Sequence, residues 1–172
     1  MEEIELIGID EKIYYYKTSN GLRIYMWVNK NVKSMEACLC VKYGSIDTKF
    51  KVGKKTYEVP NGIAHFLEHV KFNVSDGVTA HDIFYKLGAD SNAFTTFEYT
   101  NYYCFTTENK SKVVCELLNF VCNPFFTKKL IEKEKGIIVE EARMGIDNSN
   151  TLMYFNSLKS ALVKSKYRNL QI

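Results

Sequence analysis

The chain has 172 residues, 46% of them hydrophobic and 25% charged, which is typical of a single globular domain and excludes disordered and fibrous proteins. Its formal net charge is only +3, and basic residues are scattered rather than gathered beside aromatic ones, so we predict no nucleic-acid and no membrane partner. No stretch reaches the ~20 apolar residues of a membrane span, and the acidic start MEEIELIGID is unlike a signal peptide, which favours a cytoplasmic protein.

The first half of the chain is predicted to form β-sheet. Apolar runs at 12–17 and 23–28 flank Ser19-Asn20-Gly21, and an Asn-Gly pair between two such runs indicates a β-hairpin. Alternating residues predict a third strand over 35–43. Residues 46–60 are polar and irregular, which is typical of a loop.

Helical signals dominate the second half. Thr79 and Thr127 are predicted N-caps, and Gly88 is a predicted C-terminal stop. Strands joined by hairpins and followed by runs of helices indicate an α+β fold. The predicted helices cover residues 61–72, 79–87, 111–122, 128–146 and 151–164, and two short strands cover 92–96 and 101–107.

The chain contains five cysteines, and an odd number without a signal peptide argues against a disulfide framework. Cys38 and Cys40 are two residues apart in a predicted strand and should face the same side of the sheet. No further pair completes a four-thiolate zinc site. We interpret the cysteines as small buried hydrophobic residues.

Two of the three histidines lie in the sequence His65-Phe-Leu-Glu68-His69. A helix places residues i, i+3 and i+4 on one face, so His65, Glu68 and His69 should converge on an otherwise apolar helix. A buried carboxylate between two imidazoles costs free energy unless it has a partner. We favour a zinc ion held by the two imidazoles, with Glu68 acting on a metal-bound water, over two satisfied histidines beside a surface glutamate.

A catalytic zinc ion needs a third protein ligand. His81 lies near the start of a short predicted helix and is more typical of a surface or N-terminal-turn histidine. In the helix EKEKGIIVEEARMGI, a step of ~100° per residue places Glu134 and Glu141 within the apolar stripe. The same step places Glu132 and Glu140 on the solvated side. The periodicity does not decide which of the two inward glutamates binds metal.

The motif His65-Phe-Leu-Glu68-His69, followed by Glu141, resembles that of the pitrilysin-type (M16) peptidases. This is the family of insulin-degrading enzyme and the mitochondrial processing peptidase. The resemblance covers essentially the whole chain, and the insertion at 46–60 with residues 59–65 looks most like a bacterial branch of cytosolic zinc peptidases. Further segments similar to the family are Asn20-Gly21-Leu22, Tyr43-Gly44-Ser45 and residues 88–95, 100–103 and 134–141.

This resemblance implies a two-layer sandwich, in which helices pack on one face of a largely antiparallel sheet. It implies a Zn²⁺ ion bound by His65, His69 and Glu141, with Glu68 as the general base of peptide hydrolysis by a zinc-activated water. Glu134 matches an accessory catalytic carboxylate that supports the site. The pair Asn92-Ala93 matches an edge strand that binds substrate backbone by strand addition, although Asn92 alone is equally typical of a turn.

Members of the family resemble one another over much longer chains. We therefore expect residues 1–172 to be a single, incomplete N-terminal domain of a zinc endopeptidase. Its expected substrates are peptides or small unfolded proteins, and its expected partners are the missing C-terminal domains or a homologous subunit. One alternative is a non-catalytic subunit or fragment acting as an interaction module, against which the complete motif argues. Another is a non-peptidase hydrolase such as S-ribosylhomocysteine lyase, against which Glu141 and residues 92–95 argue.

Overall fold

A computed structural model describes residues 2–6, 8 and 11–169 of the chain. The chain divides into two compact units, residues 1–33 and 34–172. The prediction of one domain over residues 1–172 stays a prediction. None of the helices in the described part of the chain is both long and apolar enough to cross a membrane. The predicted cytoplasmic location also stays a prediction.

The first unit is a three-stranded antiparallel sheet in the order β1-β2-β3. Its strands are β1 (Glu2–Glu5), β2 (Lys12–Lys17) and β3 (Arg23–Trp27). Gly21 lies in the turn between β2 and β3 with a φ of 94°, which favours glycine. The hairpin predicted from the Asn-Gly pair is therefore confirmed.

The second unit contains the remaining elements. Its strands are β4 (Met35–Val41), β5 (Lys49–Val52), β6 (Lys55–Glu58), β7 (Asn73–Ser75), β8 (Val78–Thr79), β9 (Ala89–Thr95) and β10 (Thr100–Thr106). Its helices are α1 (Ile63–Lys71), α2 (Ala80–Lys86), α3 (Lys110–Cys122), α4 (Lys128–Asp147) and α5 (Ser149–Ala161), followed by a 3-10 turn at Lys166–Asn169.

The central sheet of the second unit has the order β4-β10-β9, and both pairs are antiparallel. Helices α1, α2 and α3 contact its strands, and α4 packs against α1. The predicted α+β fold with helices on an antiparallel sheet is confirmed. The core between sheet and helices is formed by Ala80, Phe84, Ala89, Tyr102, Cys104, Val113, Leu117, Phe120 and Val121.

The segment 46–60 was predicted as a loop, and this prediction is wrong in part because β5 and β6 form an antiparallel hairpin. The ring of Phe50 stacks on that of Tyr57 at a centroid distance of 5.8 Å. Gly53, with a φ of 61°, lies in the two-residue turn between Val52 and Lys55. The run Lys49-Phe50-Lys51-Val52 alternates polar and apolar residues, but it is only four residues long.

The burial predicted for the cysteines is correct for Cys104 and wrong for Cys38, Cys40, Cys115 and Cys122, which are exposed. Cys38 and Cys40 do share one side of β4, but it is the side turned away from the core. The inner side is occupied by larger residues, because Met35, Ala37 and Leu39 pack against the core.

Candidate metal centre

Helix α1 carries the predicted motif. It starts after Gly62, whose φ of 82° is left-handed, so the helix begins two residues later than predicted. Ala64 and Val70 are buried and attach the helix to the rest of the unit. His65 and His69 are half-buried on one face, and the rings meet edge to face with centroids 4.7 Å apart.

Helix α4 carries Glu134 and Glu141, the two glutamates that helical periodicity places in its apolar stripe. Thr127 caps its start by accepting a hydrogen bond from Leu130 N–H, as predicted. The Glu134 side chain is only 6% exposed and that of Glu141 is 36% exposed. Their carboxylates lie 3.5–3.7 Å from ring nitrogens of His65 and His69, so both side chains are on the side of α4 that packs against α1.

The neighbouring glutamates of α4 lie on its exposed side, as their helical phase predicts. Glu132 pairs with Lys135 at 2.9 Å, and Glu140 pairs with Arg143. Helical periodicity also places Ile137 and Met144 in the apolar stripe, but both are exposed, so the stripe is shorter than predicted. The burial of α4 is thus concentrated around Leu130 and Glu134.

Three potential ligand atoms form a nearly equilateral triangle. His65 Nε2 lies 3.2 Å from His69 Nε2, and Glu141 Oε2 lies 3.6 Å from the first nitrogen and 3.5 Å from the second. Tetrahedral zinc with bonds of ~2.0–2.1 Å places two ligand atoms about 3.3–3.4 Å apart. The triangle therefore has the dimensions of three zinc ligands, and it is the one group of this kind among the described residues.

The electrostatic setting favours neutral imidazole at this position. Burial lowers the pKa of His65, and the neighbouring His69 lowers it further, while Glu68 and Glu141 act in the opposite direction. A histidine must be neutral to bind metal, so this environment suits a ligand.

Glu68 shares the face of α1 with the two histidines but is not part of the triangle. It is buried at 7% exposure, and its Oε2 accepts a hydrogen bond from the Thr95 hydroxyl at 2.5 Å. Zinc is the only partner that the sequence suggests for this carboxylate, and the contact with Thr95 is not predicted from the sequence. Its only signal was its place in the family-like segment 88–95.

Asn92 and Ala93 lie within β9, which is an edge of the central sheet among the described residues. Asn92 is therefore a strand residue rather than a turn residue. Its side chain is exposed, and its Oδ1 accepts a hydrogen bond from Ala93 N–H at 2.9 Å. Ala93 turns to the inner face and packs against the core.

His81 is not part of the metal group. It lies in the first turn of α2, where Nδ1 is 3.0 Å from Ser91 Oγ. Its ring stacks on Phe72 at a centroid distance of 4.4 Å. The prediction of an N-terminal-turn histidine is confirmed.

Known proteins resemble this chain over most of its residues. The family model described as Insulinase (Peptidase family M16) matches residues 26–171. A protein of Bacillus subtilis strain 168 named uncharacterized zinc protease YmfH is 42% identical over 162 residues, which are 93% of this chain and 38% of that protein. The chain thus spans well under half the length of this relative.

Solved structures show the same fold. The crystal structure of an M16-like peptidase from Alicyclobacillus acidocaldarius matches with a TM-score of 0.83 and 33% identity, over 91% of this chain and 36% of that chain. Pitrilysin matches with a TM-score of 0.70 and 20% identity, over 92% of this chain and 17% of that chain.

Proposed function

Because this chain belongs to the insulinase family of peptidases (family M16), we propose that it carries the metal site of a zinc endopeptidase. The observation that carries the proposal is the triangle of His65 Nε2, His69 Nε2 and Glu141 Oε2, with edges of 3.2 to 3.6 Å. Its relatives in Bacillus subtilis and Rickettsia bear the name zinc protease, which supports the same metal.

In this proposal His65, His69 and Glu141 would hold Zn²⁺, because catalytic zinc sites use three protein ligands. When bound, zinc would polarise the scissile carbonyl and lower the pKa of a water molecule toward ~7. Glu134 would orient the His69 ring from its other nitrogen, in the manner of carboxylates that support histidine ligands.

Glu68 is the proposed general base. It stands one turn from His65 and next to His69 on the same helix face, so it reaches the same space as the ligand atoms. It would take a proton from the attacking water and deliver it to the leaving amine, a role typically worth 10²–10⁴-fold in rate.

The free edge of β9 is the proposed substrate site, where Asn92 and Ala93 would pair with an extended peptide. Such pairing suits peptides and small unfolded proteins, because a folded segment does not offer a free strand. We further propose that residues 1–172 work with additional domains or with a homologous subunit, since the relatives extend well beyond the matched region.

The test measures zinc content and hydrolysis of unstructured peptides by the complete protein. Glu68→Gln should keep one zinc ion per chain and lose at least about 10²-fold in kcat. Glu132→Gln, on the exposed side of α4, should change neither and serves as the control. Purified wild-type protein that takes up no zinc, or turnover that survives Glu68→Gln, would overturn the proposal.

A further inference from the structure

The carboxylate of Glu68 is held by a hydroxyl from the sheet. Its position in α1 removes it from water, and a buried carboxylate costs free energy unless donors replace the lost hydration. Thr95 Oγ1 donates to Glu68 Oε2 at 2.5 Å, at the short end of the range for O–H···O hydrogen bonds. Thr95 is itself buried, at 8% exposure.

A second buried hydroxyl, that of Thr100, lies next to Thr95. Thr100 is paired with Thr95 across β9 and β10, and their Oγ1 atoms are 3.4 Å apart. Thr100 Oγ1 donates to the carbonyl of Tyr43 at 2.9 Å. Each threonine hydroxyl has one hydrogen, which Thr100 donates to Tyr43 O and Thr95 donates to Glu68. No hydrogen is then left for a bond between the two hydroxyls, so they are in contact without donating to one another.

The backbone around these hydroxyls is fixed by short loop contacts. Thr96 N–H donates to Tyr99 O at 2.8 Å and Ser45 N–H donates to Thr96 O at 3.0 Å. Gly44 allows the close approach of these loops, because a Cβ there would lie 2.4 Å from the carbonyl oxygen of Phe97. The loop that carries the Tyr43 carbonyl is thus tied to the turn after Thr95.

From this geometry we infer that Thr95 is a positioning residue for the general base. A carboxylate on a flexible side chain has many rotamers, and a fixed donor on a rigid sheet selects one of them. The hydrogen bond from Thr95 in β9 links that rotamer to the central sheet. This inference rests on the proposed role of Glu68.

The first test compares variants of Thr95 in the complete, zinc-loaded protein. Thr95→Val keeps the shape and removes the donor, so kcat should fall about 10–100-fold with little change in KM. Thr95→Ser retains the hydroxyl and should keep kcat within about threefold of wild type, which a packing role alone would not produce. Thr100→Val leaves the Thr95 donor in place and should keep kcat within about threefold of wild type. Zinc stoichiometry should stay the same in all variants, because neither threonine touches the ligand triangle.

The control is Thr106→Val, the same change at a buried threonine of the neighbouring strand β10. The Thr106 hydroxyl is 3.0 Å from Gly88 O and 2.7 Å from Glu108 O, away from α1. Its loss should affect stability but not kcat. A Thr95→Val protein with wild-type kcat, in a background where Glu68→Gln is inactive, would overturn the inference.

A second measurement does not depend on zinc or turnover. A double-mutant cycle of Thr95→Val and Glu68→Met on the unfolding of the metal-free chain should show coupling of about tenfold or more in the folding equilibrium constant. The pair Thr106→Val and Glu68→Met should be additive within about twofold. Absence of coupling between Thr95 and Glu68 overturns the inference. Turnover surviving Glu68→Gln overturns the proposed function instead, so the two failures are distinguishable.

Discussion

Glu134 Oε2 lies 3.7 Å from His69 Nδ1, whereas Glu141 Oε2 lies 3.5 Å from Nε2 of the same ring. The two glutamates stand two turns apart on α4 and face opposite nitrogens of one imidazole. Only Nε2 also converges with His65 Nε2. A histidine ligand binds metal through one nitrogen and is oriented through the other. This geometry favours Glu141 as the ligand and Glu134 as the orienting group, a choice that helical periodicity leaves open.

Substitutions of these two glutamates should therefore affect zinc binding unequally. Glu141→Gln should purify without stoichiometric zinc, because two imidazoles alone do not make a stable site. Glu134→Gln should retain zinc but bind it about 10–100-fold more weakly, as expected when the group that orients a ligand is lost. Competition with a chelator of known affinity measures both effects.

Glu140→Gln is the matched control for this series. It removes a neighbouring carboxylate of the same helix, which pairs with Arg143 on the exposed side. Its zinc affinity should equal that of wild type. Stoichiometric zinc in Glu141→Gln, together with its loss in Glu134→Gln, would mean that Glu134 is the ligand and Glu141 the orienting group.

Local sequence signals predicted the elements whose periodicity is strong. The Asn-Gly hairpin, the capped starts of α2 and α4 and the third strand all lie within a few residues of their predicted positions. The strand β1 and the hairpins β5–β6 and β7–β8 were missed. These strands have two to four residues each, too few for an alternating pattern to stand out from charged neighbours.

The candidate site was likewise predictable from the sequence only in part. The positions of His65, Glu68 and His69 follow from helix geometry alone, because the spacing i, i+3, i+4 fixes a common face. The hydrogen bond from Thr95 to Glu68 depends on how β9 packs against α1, residues 27 apart in sequence. No local period encodes that contact, so only the folded structure reveals it.

The start of α2 offers a test of stability against pH. Thr79 donates from both its backbone N–H and its hydroxyl to Asp82 Oδ2, at 2.8 and 2.7 Å. These hydrogen bonds hold the pKa of Asp82 below its ordinary value of 3.8. Ionised Asp82 therefore stabilises the fold above pH 3.8, and the stabilisation is lost as the pH falls through the lower folded pKa.

Asp82→Asn should accordingly be less stable than wild type at pH 6, and the difference should shrink on acidification below pH 3.8. Urea denaturation at a series of pH values measures the free energy of unfolding of both proteins. Asp76→Asn, in the exposed β7–β8 turn, is the control and should show a difference that does not follow this pH dependence. An Asp82→Asn deficit that is constant from pH 6 to pH 3 would contradict the capping role.

Thiol labelling tests the packing of the central sheet. Burial raises the pKa of Cys104 to about 11, so at pH 8 roughly one thiol in a thousand is the reactive thiolate. Cys40 is exposed on the outer side of β4. Iodoacetamide at pH 8 should label Cys40 in the native protein and leave Cys104 unmodified, whereas both should react in guanidinium chloride. Mass spectrometry of the peptides reads out each site, and equal native rates would be incompatible with the described core.

The free edge of β9 supports a sharper test of substrate binding. Ala93 N–H donates to Asn92 Oδ1. Ala93 is paired with Tyr102, three positions along the antiparallel ladder from the hydrogen-bonded pair Thr96–Tyr99, so its N–H points away from β10. It therefore faces the edge of β9 that has no partner strand among the described residues. A peptide that adds to this edge would use the same N–H and displace the Asn92 side chain. Without bound peptide, the Ala93 N–H is therefore occupied by the side chain of Asn92.

Ala93→Pro removes this N–H without removing a hydrogen bond of the β9–β10 ladder, because proline is tolerated at a free strand edge. Loss of one backbone hydrogen bond to the peptide should raise KM about two- to tenfold in the complete protein. Ala93→Ser keeps the N–H and should keep the wild-type KM. Thermal melts of both variants separate a binding defect from misfolding. An Ala93→Pro protein that melts like wild type and has an unchanged KM would rule out strand addition at this position.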